Sequence, residues 1–172
     1  MKFLSIEYIL IIAAILSIFW LGYLQFWTAG WTPTPKNDIK LLIESLNVQD
    51  IDKIYELGCG DGRVLTSYAE HGQEVIGIEI DPIRYFISKI RAQISTNNNI
   101  KVIFGNYLNL DLSDADLVFV YLSEKANKQL EKKLSNELKG AQIISYTYKF
   151  PNLKEEKILK EGKRNIYIYT IQ

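Results

Sequence analysis

Glu56-Leu57-Gly58-Cys59-Gly60-Asp61-Gly62-Arg63 is the stretch that decides the fold. It follows the apolar run from Ile51 to Tyr55 and precedes a helical pattern from Val64 to Glu70, so it reads as strand, turn and helix. Glycine at alternate positions permits positive φ and lets a ligand approach the backbone, as at the start of a nucleotide-binding α/β unit. A helix opening at Asp61 or Gly62 directs unpaired N–H groups over the turn, where an anionic group such as a carboxylate is favoured. A dinucleotide site needs G-x-G-x-x-G. Here the spacing is G-x-G-x-G after an acid, which argues against NAD.

Working outward, Glu74-Val75-Ile76-Gly77-Ile78 reads as a second strand that ends in Glu79-Ile80-Asp81. An acid about 20 residues past the glycines is placed to accept both hydroxyls of a ribose. Asp81-Pro82 then starts a helix, with the acid as cap and the proline in its first turn, running to about Ile94. A polar turn, Ser95 to Asn99, leads to a third strand, Ile100 to Phe104, and to Gly105-Asn106-Tyr107.

Asp116 to Leu122 is an apolar run with polar bounds, as for a central strand buried on both faces. Ligands in open α/β sheets sit beyond the carboxyl ends of the strands, so Tyr121 and Ser123 face the reaction site. Leu130, Leu134 and Leu138 form the stripe of a surface helix over Glu124 to Leu138. Strands are expected at Ala141 to Phe150, with Tyr146 and Tyr148 on one side, at Glu155 to Lys160 and at Asn165 to Ile171. The total is seven strands.

Acid-x-Gly-x-Gly-x-Gly, a second strand ending in Glu79, and the later Gly105-Asn106 together resemble the seven-stranded (class I) S-adenosylmethionine-dependent methyltransferases. Trp31-Thr32-Pro33-Thr34-Pro35 is similar to the Tyr-Val-Pro-Thr-Pro-like cap of one subgroup: archaeal protein lysine methyltransferases and the mitochondrial enzymes that methylate the ADP/ATP translocase and the ATP synthase c-subunit. The first two cap positions differ here. Read from its composition alone, the same proline-rich stretch is a stiff spacer. The resemblance implies a Rossmann-like α/β sheet with helices on both faces and S-adenosylmethionine as cofactor.

It also implies where that cofactor is held: Thr32, Pro33 and Thr34 of the cap; Glu56, Gly58, Cys59, Gly60, Gly62 and Arg63 of the turn; Glu79 and Ile80; Asn106 and Tyr107. Asn106 has a donor and an acceptor, suited to the adenine edge. Tyr121 and Tyr146 are the substrate-channel candidates, without a general base, because displacement from a sulfonium needs alignment more than proton transfer. Trp31, Tyr107 and Tyr148 are further aromatic candidates for holding methylated cations. No Asn-Pro-Pro-Tyr or Asp-Pro-Pro-Tyr follows the fourth strand, which argues against amino-group DNA methyltransferases.

Before this domain, Tyr8 to Trp27 is almost unbroken in apolar residues, with rings at both ends. As a helix, about 20 such residues cover the roughly 30 Å hydrocarbon layer. On the order of a dozen large apolar residues at about −0.3 to −0.6 kcal/mol each favour insertion. Residues 1–31 are therefore expected to be a single transmembrane anchor and residues 32–172 the methyltransferase domain. A cleaved signal peptide is the competing reading, though no clear small-x-small site follows. Lys2 before the span against Lys36 and Lys40 after it favours a cytoplasmic catalytic domain.

The 172 residues fit one domain with a small appendage, and 20 basic against 20 acidic residues point to no nucleic-acid partner. One cysteine and one histidine leave no metal-ligand cluster, and His71 reads as a solvated helix end. The expected partners are a membrane-associated protein substrate and the bilayer. The alternatives are a lipid, quinone or other small membrane acceptor, or a non-catalytic membrane adaptor on the same fold.

Overall fold

The computed structural model describes residues 5–27, 32–44, 51–71, 73–161 and 164–171. Contacts divide the chain into two compact units, Met1–Thr32 and Pro33–Gln172.

Within the first unit, α1 (Ile6–Trp27) is a 22-residue helix. Ile6, Tyr8, Leu10, Ile11, Ile12, Ile15, Leu16, Ile18, Phe19 and Trp20 are all exposed on it. Side chains are described without a break only over residues 10–20, and among the described residues no helix is long and apolar enough to cross a membrane. The described structure therefore does not itself supply the expected transmembrane helix.

In the second unit, seven strands form one sheet in the order β3-β2-β1-β4-β5-β7-β6. They are β1 (Lys53–Leu57), β2 (Glu74–Glu79), β3 (Ile100–Phe104), β4 (Leu117–Val120), β5 (Gln142–Tyr146), β6 (Lys157–Glu161) and β7 (Arg164–Thr170). The first five are mutually parallel where they pair, and β7 lies antiparallel to both β5 and β6. Strand order reverses between β1 and β4, which opens a crevice beyond their carboxyl ends.

The alternation of each strand divides the core into two layers. One contains Ile54, Leu65, Tyr68, Phe119, Ile144, Tyr146 and Ile166, together with residues of α2 (Lys36–Glu44) and α3 (Arg63–Ala69). The other contains Leu57, Ile78, Val118, Val120, Ile143 and Tyr169 with Leu130, Leu134 and Leu138 at α5 (Glu124–Glu137). Helix α4 (Pro82–Ile94) packs beside α3 and against β2 and β3. Its start follows the expectation: the Asp81 carboxylate accepts from the N–H groups of Ile83 and Arg84, and Pro82 opens the first turn.

Two strands are shorter than their apolar runs. The fourth ends at Val120, and β5 stops at Tyr146 because Thr147 takes a φ of 76°, which breaks the pleat. Tyr148 therefore does not continue the alternation that was to place it beside Tyr146.

Candidate functional site

The glycine turn is built by three left-handed residues, Gly58, Gly60 and Gly62, with φ of 76°, 57° and 75°. Side chains rarely adopt this region, so the spacing is a backbone requirement. Each glycine has its own surroundings. A Cβ on Gly58 would lie 3.1 Å from Cδ2 of Leu122, just past β4, so this glycine lets the two strand ends on either side of the crevice close together. A Cβ on Gly62 would meet Cβ and Cα of Ser88 at 3.0 and 3.2 Å. Gly62 thus also serves the packing of α3 against α4.

A fourth glycine, not singled out in the sequence, makes the turn possible. In β2, a Cβ on Gly77 would come within 2.5 Å of Cδ1 of Leu65 and 2.8 Å of Sγ of Cys59. The turn and the first turn of α3 rest on that bare backbone. A glycine inside a strand pattern is the signal that marks such an approach. Cys59 points its thiol into the core, where burial pushes its pKa well up, so only its backbone is available to a ligand.

Two acids flank the turn differently. The Glu79 carboxylate accepts from the N–H groups of Gly60 (2.8 Å), Ile80 (2.9 Å) and Asp81 (2.8 Å). A carboxylate offers about four acceptor sites, so roughly one remains, on the Oε2 side. That part of Oε2 is the acceptor left for a ribose hydroxyl. Glu56 is 5 % exposed, and its Oε2 is a buried oxygen with no hydrogen-bond partner. Burial, then the charges of Asp61 and Glu79, raise its pKa well above the ordinary carboxylate value. An unpaired buried acid of this kind fits a ligand that carries a cation.

Arg63 bridges two segments of the domain. Its guanidinium holds Asp61 (Nη2 to Oδ2, 2.8 Å) and donates to the carbonyl of Thr34 at 3.4 Å. Arg91 of α4 meets the same Asp61 at 3.1 Å. Burial pushes the Asp61 pKa up, but the Arg63 hydrogen bond and the two guanidinium charges bring it below its ordinary value. Arg63 is thus a clamp that ties the proline-rich segment to the glycine turn.

Of the expected cap, Thr34 is buried and Pro33 half-buried, whereas Thr32 is exposed and belongs to the first unit. Residue 34 is thus the cap position that the Arg63 bond ties to the turn, and Trp31 lies outside the described residues.

At the next strand end, the Asn106 side chain accepts from the N–H of Leu108 at 2.9 Å and caps the 3-10 turn Tyr107–Asn109. Its amide N–H groups remain as donors for an adenine edge. Tyr107 is half-buried, and burial followed by the Glu79 charge raises its pKa. Ile80 is 42 % exposed, an apolar surface next to Glu79 that suits a base.

Across the crevice, Tyr121 and Tyr146 meet edge to face, with ring centroids 4.7 Å apart and planes at 88°. Tyr146 is fully buried, and its hydroxyl is bonded to the Asp38 carboxylate of α2 and to Nη1 of Arg164 on β7, the latter at 3.0 Å. Arg164 and Asp38 approach to 3.7 Å, and the guanidinium carbon lies 5.6 Å from the Tyr146 ring centroid. Burial and the bond to Asp38 push the Tyr146 pKa up to about 12, against the opposing effect of Arg164. Tyr146 is accordingly a fixed wall, protonated at neutral pH. Beside it, Thr147 combines its positive φ with a buried Oγ1 that has no partner.

Sequence reading missed Asp38, Arg164 and Thr147. Asp38 lies on α2, Arg164 opens β7 and Thr147 sits just past β5, and only the tertiary fold brings them together. Two surface hollows, about 470 Å³ between α4 and β3 and about 280 Å³ between α2 and α3, are lined by no residue of the glycine turn. The site assignment rests on the polar groups and the backbone, not on a cavity.

Comparison with known proteins agrees with this geometry. The family model for the ANTKMT methyltransferase domain matches residues 56–157, more than half of the chain. A protein-lysine N-methyltransferase of Saccharolobus islandicus is 30% identical, over 82% of this chain and 92% of that relative. The lysine N-methyltransferase of the ATP synthase c-subunit from Xenopus laevis is 26% identical over 81% of this chain and 61% of its own length. The chain thus spans about three-fifths of the Xenopus relative and of its human counterpart. Among solved structures, an RNA methyltransferase from Salinibacter ruber in complex with S-adenosyl-L-homocysteine matches with a TM-score of 0.77 and 27% identity, over 81% of this chain and 94% of that one.

Proposed function

This chain belongs to the ANTKMT methyltransferase family, enzymes that use S-adenosylmethionine, and from that premise we propose that it methylates lysine side chains of membrane-associated proteins. The observation that carries the reading is the likeness, over most of both chains, to a relative named a protein-lysine N-methyltransferase.

When bound, the cofactor supplies an electrophilic methyl group on a sulfonium. The residues present suit it. Glu56 offers the buried, unpartnered Oε2 of its carboxyl group to a cationic methionine portion. Glu79 keeps an acceptor for a ribose hydroxyl, and Asn106 keeps donors for the base. Arg63 holds residue 34 over the turn.

An acceptor lysine must arrive neutral, which costs roughly 4–5 kcal/mol at pH 7 for an amine of pKa about 10.4. Apolar and aromatic surroundings lower that pKa, and the half-buried ring of Tyr121, backed by the buried Tyr146, is the surface assigned to this task. With its proton held by Asp38, Tyr146 is not a base.

The anchor is part of the proposal and rests on the amino-acid sequence of α1 as a whole. Tyr8 to Trp27 is almost unbroken in apolar residues, about the 20 that the roughly 30 Å hydrocarbon layer requires. Two lysines after it against one before favour a cytoplasmic catalytic domain.

Incubating the enzyme with methyl-labelled cofactor and a membrane extract tests the acceptor. Label is expected in lysines of membrane proteins, and label confined to lipid or small molecules overturns the proposal. The same experiment covers a second reading, RNA as acceptor, which the likeness to the Salinibacter ruber RNA methyltransferase favours: label in extracted RNA would replace lysine by a nucleotide. Resistance of the enzyme to alkaline extraction from membranes tests the anchor.

A further inference from the structure

Helix α4 carries its apolar residues on the outside. Phe86 is 61 % exposed, Ile87 44 %, Ile90 57 % and Ile94 77 %, although helices of a sheet domain normally bury such side chains. At about 100° per residue, these four positions fall within an arc of roughly 100°. The opposite side holds Ser88, fully buried where α4 meets Gly62. Tyr85 extends the patch to the edge strand: its ring centroid lies 5.5 Å from Phe86 and 5.3 Å from Phe104, itself 55 % exposed. An apolar patch of this kind marks an interaction surface.

Charge identifies the kind of partner. Although the whole chain is balanced, residues 82–110 contain Arg84, Lys89, Arg91 and Lys101 and no aspartate or glutamate. Two of these are engaged by acids of the domain: Arg91 is paired with Asp61 at 3.1 Å and Arg84 approaches Asp81 at 4.0 Å. Lys89 and Lys101 instead line the hollow of about 470 Å³ between α4 and β3, together with Ser95, Asn97 and Asn98. On the helix, Lys89 borders the apolar arc on the side of that hollow. Cationic and hydrogen-bonding groups thus lie directly beside exposed aliphatic ones, the arrangement of a helix that lies in a membrane interface.

We propose that α4 and the adjoining edge of β3 dock the domain on anionic phospholipid, with Phe86, Ile87, Ile90 and Ile94 in the acyl boundary and Lys89 and Lys101 on headgroup phosphates. Three of the four stripe residues are isoleucines, which have no ring to stack on a nucleobase, so the surface fits lipid better than RNA. The inference is independent of α1, because every residue in it belongs to the second unit.

The test exploits the single, buried cysteine of the chain, which leaves a cysteine introduced on the surface as the one accessible thiol. In the full-length chain, Ile90→Cys carries an environment-sensitive fluorophore, and Lys128→Cys on exposed α5 is the control. Vesicles of phosphatidylcholine alone are compared with vesicles containing phosphatidylglycerol and a lipid-borne quencher. The expected result is blue-shifted emission and quenching at position 90 with anionic vesicles only, no change at position 128, and at least a five-fold loss of quenching in Lys89→Glu/Lys101→Glu. Absence of quenching at position 90, equal quenching in neutral vesicles, or equal quenching at position 128 overturns the proposal. So does a shift at position 90 that an RNA oligonucleotide produces and anionic vesicles do not. Flotation with the phosphatidylcholine vesicles, to which the docking surface does not bind, reports on α1 separately, so failure of the anchor and failure of the docking surface are distinguishable.

Discussion

The two sides of the crevice are held by different means. On the side of β1 and β2, backbone does the work: three positive-φ glycines, and one carboxylate that takes three N–H groups from Gly60, Ile80 and Asp81. On the side of β4 and β5, side chains do it: Tyr121 against Tyr146, and Tyr146 between Asp38 and Arg164, residues 108 and 18 positions away. In the proposed function, the backbone cradle meets a cofactor common to a large class, whereas replaceable side chains meet the acceptor. Substitutions on the first side should therefore change binding, and those on the second should change transfer at constant binding.

The sharpest separation comes from Gly58→Arg. A side chain there must adopt a φ of 76° and enter the space of Leu122, so the turn cannot keep its shape. Affinity for S-adenosylhomocysteine, measured by calorimetry, should fall at least about 100-fold, roughly 2.8 kcal/mol. Unchanged affinity would place the cofactor elsewhere and remove the basis of the comparison. Glu79→Ala follows with a smaller loss, about 10- to 100-fold, because three backbone donors lose an acceptor along with the ribose.

Tyr146→Phe probes the other side. It removes the hydroxyl between Asp38 and Arg164 but keeps the ring against Tyr121, and should cost about 1–2 kcal/mol of stability. The transfer rate is expected to fall about ten-fold with cofactor affinity unchanged. An equal loss of both would mean that the two sides act as one unit.

The same contrast explains what was legible in the sequence. The glycine turn, Glu79, the Asp81-Pro82 helix start and the seven strands are local patterns, in which a few consecutive residues state a backbone conformation. Gly62 and Arg63 were legible as parts of the turn but not in their contacts, since Ser88 and Thr34, which they meet, are distant in the chain. The Asp38–Tyr146–Arg164 cluster has no local signature at all. Two charges and a tyrosine on separate elements become a network only when α2, β5 and β7 share one face of the sheet.

Glu56 sharpens the cofactor side through pH. Its folded pKa is raised, so folding favours the protonated acid. The stability it contributes is present below the ordinary carboxylate range and is lost as pH rises through the raised value. Thermal unfolding of the ligand-free protein should therefore decline from pH 5 to 8 relative to Glu56→Gln, which stays neutral throughout. Parallel profiles would show that Glu56 is already paired.

The smallest effect is expected at Thr147, where stability and rate should part. Its φ of 76° is unfavourable for a β-branched residue, and its buried Oγ1 lacks a partner, two costs at one position beside the acceptor wall. Thr147→Gly relieves both but gains freedom in the unfolded chain, so the net stabilisation should be under about 1 kcal/mol. Thr147→Val keeps the strain and the shape while removing only the hydroxyl. If that hydroxyl serves the acceptor, Val lowers the transfer rate a few-fold with no loss of stability, and Gly lowers it as well. If the strain is instead an accident of ending β5, both variants match the wild-type rate and only the melting temperature moves. In that case the second side of the crevice reduces to the Tyr121–Tyr146 pair and the ion pair that fixes it.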